Sequence, residues 1–245
     1  MINTLKYDLY KMVKSKSVWI IFGLFTLLEV FNLYYSYNQY SIGEVFDSNT
    51  FRIAAMTFSI PIFAALFSGK DMSTGYIKNV YSSVGKFGYI LSKVVIIAIF
   101  TLITFAFDFL LEIFFNYNMG EGIMVDPQLP LGVYFANRVL MVWAYIGIGT
   151  FIMLLCMLIK NEYVVVVIYL VYVSFAMNYF YQLMGIIFSL EIYSDVGNYL
   201  PVGIIYTINN YLGRTDDSLK CLLMVSIWFA VSLVGSWLLF RRKKV

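Results

Sequence analysis

Six stretches of this chain run apolar for about twenty residues or more, at 17–35, 51–69, 89–115, 133–159, 163–190 and 219–240. That repetition constrains the fold more than any other feature. A helix crossing the hydrocarbon core needs about 20 mainly apolar residues. Lipid offers no partner for a free N–H or C=O, so each such run closes its hydrogen bonds internally, as a helix. Composition agrees: 61% of the 245 residues are hydrophobic and 13% charged, against roughly 45–50% and about 25% in soluble domains. The mean hydropathy is +0.80. The expected fold is an all-α polytopic membrane protein with six transmembrane helices. Residues 1–245 read as a single transmembrane domain. The first run is longer than a signal-peptide core of roughly 7–15 residues. It also ends in Leu33, Tyr34, Tyr35, Ser36 and Tyr37 with no small-residue cleavage site, so it reads as a retained helix.

Charge sets the orientation. With the N-terminus in the cytoplasm, the inner segments hold 13 of the 17 basic residues, leaving Arg52, Arg138, Arg214 and Lys220 outside. This satisfies the positive-inside rule and puts both termini in the cytoplasm. The basic residues read chiefly as orientation signals, and the net charge of +3 is no argument for nucleic acid.

Much chemistry is excluded. There is no histidine, which removes imidazole triads, HExxH zinc sites and histidine-held haem. The 2 cysteines, Cys156 and Cys221, sit near opposite membrane faces and read as small packing residues. No metal site is expected. A phosphate-cradling GxxxxGK[ST] loop is missing, because Gly69-Lys70 is followed by Asp71 and Gly85-Lys86 by Phe87. The chain is therefore expected to do no ATP chemistry and to carry no cofactor.

Two cytoplasmic pieces are amphipathic. Over 1–16, Ile2, Leu5, Leu9, Met12 and Val13 share one helical face, with Lys6, Lys11, Lys14, Tyr7 and Tyr10 on the remaining arc. This is the pattern of an interfacial helix. Over 70–86, Met72, Tyr76, Ile77, Val80, Tyr81 and Val84 recur at helical spacing. Asp71 or Ser73 is expected to cap this helix and Gly85 to end it. Such a helix can seat in a groove of a soluble protein or lie on lipid.

The second piece resembles the permease family of type 2 ABC exporters. Phe67, Ser68, Asp71, Gly75, Ile77, Lys78 and Asn79 match that family's pattern, followed by Tyr89-Ile90-Leu91-Ser92-Lys93 at the start of the next span. Tyr76 stands where threonine is common, Val84-Gly85 where a proline turn is common, and Asp71 where glutamate is usual. The resemblance implies that 70–86 is a coupling helix between spans two and three. Asp71, Met72, Gly75, Tyr76, Ile77, Lys78, Val80 and Tyr81 would face a separate ABC ATPase. Two ATPase copies would carry ATP and Mg, and the permease would pair as a homodimer or with a related permease. Short permeases of this kind in lantibiotic-immunity, bacitracin and phenol-soluble-modulin systems handle amphipathic peptides. The resemblance thus implies an exporter of an amphipathic peptide in a bacterial cell membrane.

The outer connection at 191–218 contains the apolar stretch 200–211, too short to span, which reads as short re-entrant or interfacial helices; in the resembled family such helices lid the path. Glu29, inside span one, is a candidate for the translocation path or for binding a cation. Asp108 and Glu112 share a face of span three and are expected to reach the outer interface. Pro61 is expected to kink span two. Gly147, Gly149, Ser226, Ala230 and Ser232 are candidates for close helix contacts. Two other classes stay open: an ion-coupled secondary transporter using Glu29, and a membrane-embedded enzyme with a carboxylate mechanism.

Overall fold

The computed structural model describes residues 2–39, 50–73, 85–118, 131–173, 203–204 and 215–242, and these are helical apart from short joints. In chain order the helices are α1 (Ile2–Lys14), α2 (Lys16–Gln39), α3 (Thr50–Ser73), α4 (Lys86–Asn118), α5 (Leu131–Ile159), α6 (Glu162–Val171) and α7 (Thr215–Arg242). Among the described residues, three helices are long and apolar enough to cross a membrane, over Lys86–Phe115, Ala136–Ile159 and Leu219–Arg241. The fifth expected run is described only through Val173, where α6 occupies its start; most of the outer connection at 191–218 lies outside the described residues.

α5 is the centre of the bundle. It packs most extensively on α7 and α3 and also touches α4 and α6. Its glycines explain the close approach. A Cβ on Gly149 would come 2.5 Å from Ile97 Cγ2 of α4, and one on Gly147 would come 3.3 Å from Val225 Cγ1 of α7. Both were expected from their small size. Ser232 is buried and bonds back to the Trp228 carbonyl at 2.7 Å, and Ser226 lies 3.3 Å from Trp143 Nε1 on α5. Ala230 instead faces outward. Aromatic packing joins α3 to α4, with the Phe63 and Phe100 rings stacked 3.8 Å apart at 9°.

Pro61 sits inside α3 without ending it. A proline has no N–H, so the carbonyl four residues back loses its helical partner. That carbonyl is Thr57, and it accepts a hydrogen bond of 2.7 Å from the Tyr169 hydroxyl of α6. The Thr57 hydroxyl lies 3.1 Å from Tyr145 Oη of α5. The missing helical hydrogen bond is thus replaced by a polar joint among three helices.

Tight joints link consecutive helices. Between α1 and α2 the Ser15 carbonyl accepts from the Val18 and Trp19 amides at 3.1 and 3.4 Å. Trp19 Nε1 donates to the Val13 carbonyl at 2.7 Å, capping the end of α1. Between α5 and α6, Lys160 takes a left-handed φ of 59°, and Asn161 caps α6 by accepting from the Tyr163 and Val164 amides at 3.1 and 3.3 Å. Gly85, at φ 76°, precedes α4. This conformation suits glycine, which has no Cβ to clash.

Candidate functional site at the joint of α1, α3 and α4

α1 lies against α4. Thr4, Asp8 and Met12 are buried, Leu5 and Leu9 half-buried, and Val13, from the expected apolar face, is 55% exposed. The expected apolar face did not include Asp8. Its carboxylate is drawn inward by Lys93 of α4, whose Nζ lies 2.6 Å from Asp8 Oδ1. Lys93 is fully buried. It is a structural cation.

Lys93 also reaches Asp71 Oδ2 at 2.5 Å, and Lys11 of α1 pairs with Asp71 Oδ1. The result is a chain of alternating sign, Asp8–Lys93–Asp71–Lys11, which sums to zero. Neutrality permits its burial. A lone ion in a dry interior costs several kcal/mol, whereas partners in good hydrogen-bonding geometry offset that loss. Neighbours complete the shell. Ser92 Oγ lies 2.8 Å from Asp8 Oδ2 and 2.8 Å from the Tyr89 carbonyl, and the Tyr89 hydroxyl donates to Asp71 Oδ2 at 3.4 Å. The Phe67 ring faces both ammonium groups, 4.4 Å from Lys93 and 4.9 Å from Lys11. Its negative π-face adds attraction to each cation.

The electrostatics follow from this crowding. Burial works against ionising Asp71, but Lys93 and then Lys11 outweigh it and hold the carboxyl below its ordinary 3.8. For Lys11, burial and then the like charge of Lys93 push the ammonium below its ordinary 10.5, and the attraction of Asp71 only partly offsets them.

Asp71 sits in the last turn of α3, not at the start of a separate helix, because α3 continues through Ser73. Met72 is in the same turn. Gly75, Tyr76, Ile77, Lys78, Val80 and Tyr81 lie outside the described residues. The cluster brackets that stretch: Asp71 precedes it, Lys93 follows it, and α1 binds both. Sequence reasoning took Lys11 and Lys93 as orientation signals, took Ser92 and Tyr89 only as parts of a motif, and passed over Asp8. An acidic residue on the apolar side of an amphipathic helix was the available signal.

The other expected acids separate. Glu29 is fully buried on α2. Asp108 is buried between helices and lies 3.3 Å from Arg138 Nη1 of α5, whose opposite charge offsets part of the cost of burial. The Glu112 side chain is outside the described residues. No group of three or more metal-ligating side chains occurs among the described residues. No family model matches the chain, and no curated protein matches it in sequence.

Proposed function

We propose that this chain is the six-span membrane subunit of an ATP-driven exporter in a bacterial cell membrane, with both termini in the cytoplasm. In this reading a partner ATPase dimer binds ATP and Mg and moves residues 70–86, and two permease chains rock about a central path for an amphipathic peptide. The observation that carries the reading is the bracketing of residues 74–84. Their two flanks, Asp71 and Lys93, bind one another and share α1 through Asp8 and Lys11. A push on the stretch reaches α1, α3 and α4 together. A ligand shifts such a transition only by binding its two states unequally, so ATP must favour the closed ATPase dimer. The motif around Gly75-Tyr76-Ile77-Lys78 supports the same assignment.

The test is to co-purify the chain with an ABC ATPase, sought first in the neighbouring reading frames, and to replace Gly75, Tyr76 and Ile77 by aspartate. Loss of the complex, or of cargo-stimulated ATP hydrolysis, is expected. Unchanged coupling overturns the reading. The full burial of Glu29 favours a second reading, an ion-coupled transporter working without an ATPase. Flux driven by a proton or sodium gradient through the chain alone, abolished by Glu29→Gln, would establish it.

A further inference from the structure

The outward side of α1 is cationic, and among the described residues no carboxylate neutralises it. The side packed on α4 carries Thr4, Asp8 and Met12. The opposite side carries Lys6, Tyr7, Tyr10 and Lys14, all exposed, and Lys16 just past the joint is exposed as well. Asp8 is the first acid in the chain and Glu29 the next. Both are buried, and Asp8 is already matched by Lys93. Lys6, Lys14 and Lys16 enter no ion pair among the described residues, and Lys14 lies over the Tyr10 ring at 6.0 Å. An interfacial helix ordinarily buries its apolar side in lipid. α1 gives much of that side to the protein: Met12 belongs to the core, and Leu5 and Leu9 pack against it. Charge and aromatic rings are what remain for a membrane. Directly beyond the joint the exposed surface turns apolar, with Trp19, Ile20 and Leu24 all more than half exposed on α2. Trp19 Nε1 donates to the Val13 carbonyl, so the two surfaces meet.

A cationic shelf bearing tyrosines, beside an apolar wall that begins with a tryptophan, has the profile of a headgroup layer meeting hydrocarbon. We propose that the outward side of α1 rests on an anionic lipid leaflet, held there by charge and not by insertion of the helix's apolar side. Lys6, Lys14 and Lys16 meet lipid phosphates, the Tyr7 and Tyr10 rings lie at headgroup level, and acyl chains cover α2 from Ile20 onward. An acidic protein would match the lysines but not the adjoining apolar wall, which needs hydrocarbon. A lysine near an anionic surface strengthens attachment about fivefold. The surface lies across α1 from the Asp8–Lys93 contact and requires neither an ATPase nor a cargo.

The probe is a fluorophore on Val13→Cys, exposed on the same side of α1; the native Cys156 and Cys221 are buried. The full chain is reconstituted in vesicles of phosphatidylcholine and phosphatidylglycerol, with a quenching nitroxide high on the acyl chain of one lipid or the other. Phosphatidylglycerol is expected to quench about fivefold more effectively, the effect of one lysine on one headgroup. Lys6→Gln, Lys14→Gln and Lys16→Gln together should abolish the preference, and arginine at the same three positions should keep it. Salt near 1 M, where the screening length is about 3 Å, should remove it. A fluorophore on Val167→Cys, on the exposed apolar side of α6, should show no preference. Protection of the native thiols verifies that each variant is folded. Equal quenching by the two lipids at position 13 overturns the proposal. So does a preference that survives the triple glutamine variant, that is as large at position 167, or that inorganic phosphate abolishes at fixed ionic strength.

Discussion

Replacing Lys93 with methionine tests the ion cluster most directly. The ammonium is wholly buried and holds Asp8 at 2.6 Å and Asp71 at 2.5 Å. Methionine matches the length of the side chain and removes the charge. Asp8 is then left with the Ser92 hydroxyl, and Asp71 with Lys11 and the Tyr89 hydroxyl. Breaking a buried pair by removing one partner costs about 3–5 kcal/mol, because the other charge stays behind. At about 2–4 °C per kcal/mol for a chain of this size, the midpoint should fall by roughly 10 °C. The assay is thermal unfolding in micelles with a maleimide dye, which reads exposure of the buried Cys156 and Cys221 thiols. A second variant separates electrostatics from packing. Adding Asp8→Asn to Lys93→Met removes the stranded charge and should recover part of the loss, with a coupling of about 0.5–3 kcal/mol. The reasoning fails if Lys93→Met melts like a surface variant, or if the two substitutions simply add.

The pH dependence follows from Asp71. Its folded pKa lies below 3.8, so its stabilisation is complete above that value and is lost as pH falls through the folded one. The melting midpoint should be insensitive to this group near neutrality and decline below about pH 4, and Asp71→Asn should flatten that acid limb. Gly69→Ala puts a Cβ 2.5 Å from Glu162 Cβ and 3.1 Å from its Cα, forcing α3 from α6 at about 1–3 kcal/mol. Gly23→Ala meets nothing within 4 Å and should stabilise α2 by roughly 0.5–1 kcal/mol; equal melting of the two would refute the packing account. Tyr169→Phe leaves the Thr57 carbonyl without its 2.7 Å donor, at about 1–3 kcal/mol. Pro61→Ala restores an amide to that carbonyl and should rescue the Tyr169 variant, whereas no rescue would place the effect elsewhere.

The N-terminal amphipathic helix marks the limit of local sequence pattern. Helical spacing foresaw α1 as an element but did not foresee that Asp8 is buried against α4. Spacing within one helix reports which residues share a side. It does not report that a lysine 85 positions later will neutralise an aspartate on that side. Gly147 and Gly149 were legible because smallness is local, but that one meets α7 and the other α4 was not. Arg138 and Asp108 were each visible as charges, and only the packing of α4 against α5 brings them together.

The sequence alone determined that these residues form apolar helices, because an apolar run in lipid must satisfy its own backbone. It also determined which ends carry positive charge, because the lysines and arginines cluster outside the apolar runs. Only the tertiary structure decided that Asp8, Lys93, Asp71 and Lys11 form one neutral cluster. A buried charge is tolerated only where a distant segment delivers its counter-charge, and that meeting is a property of the packed chain.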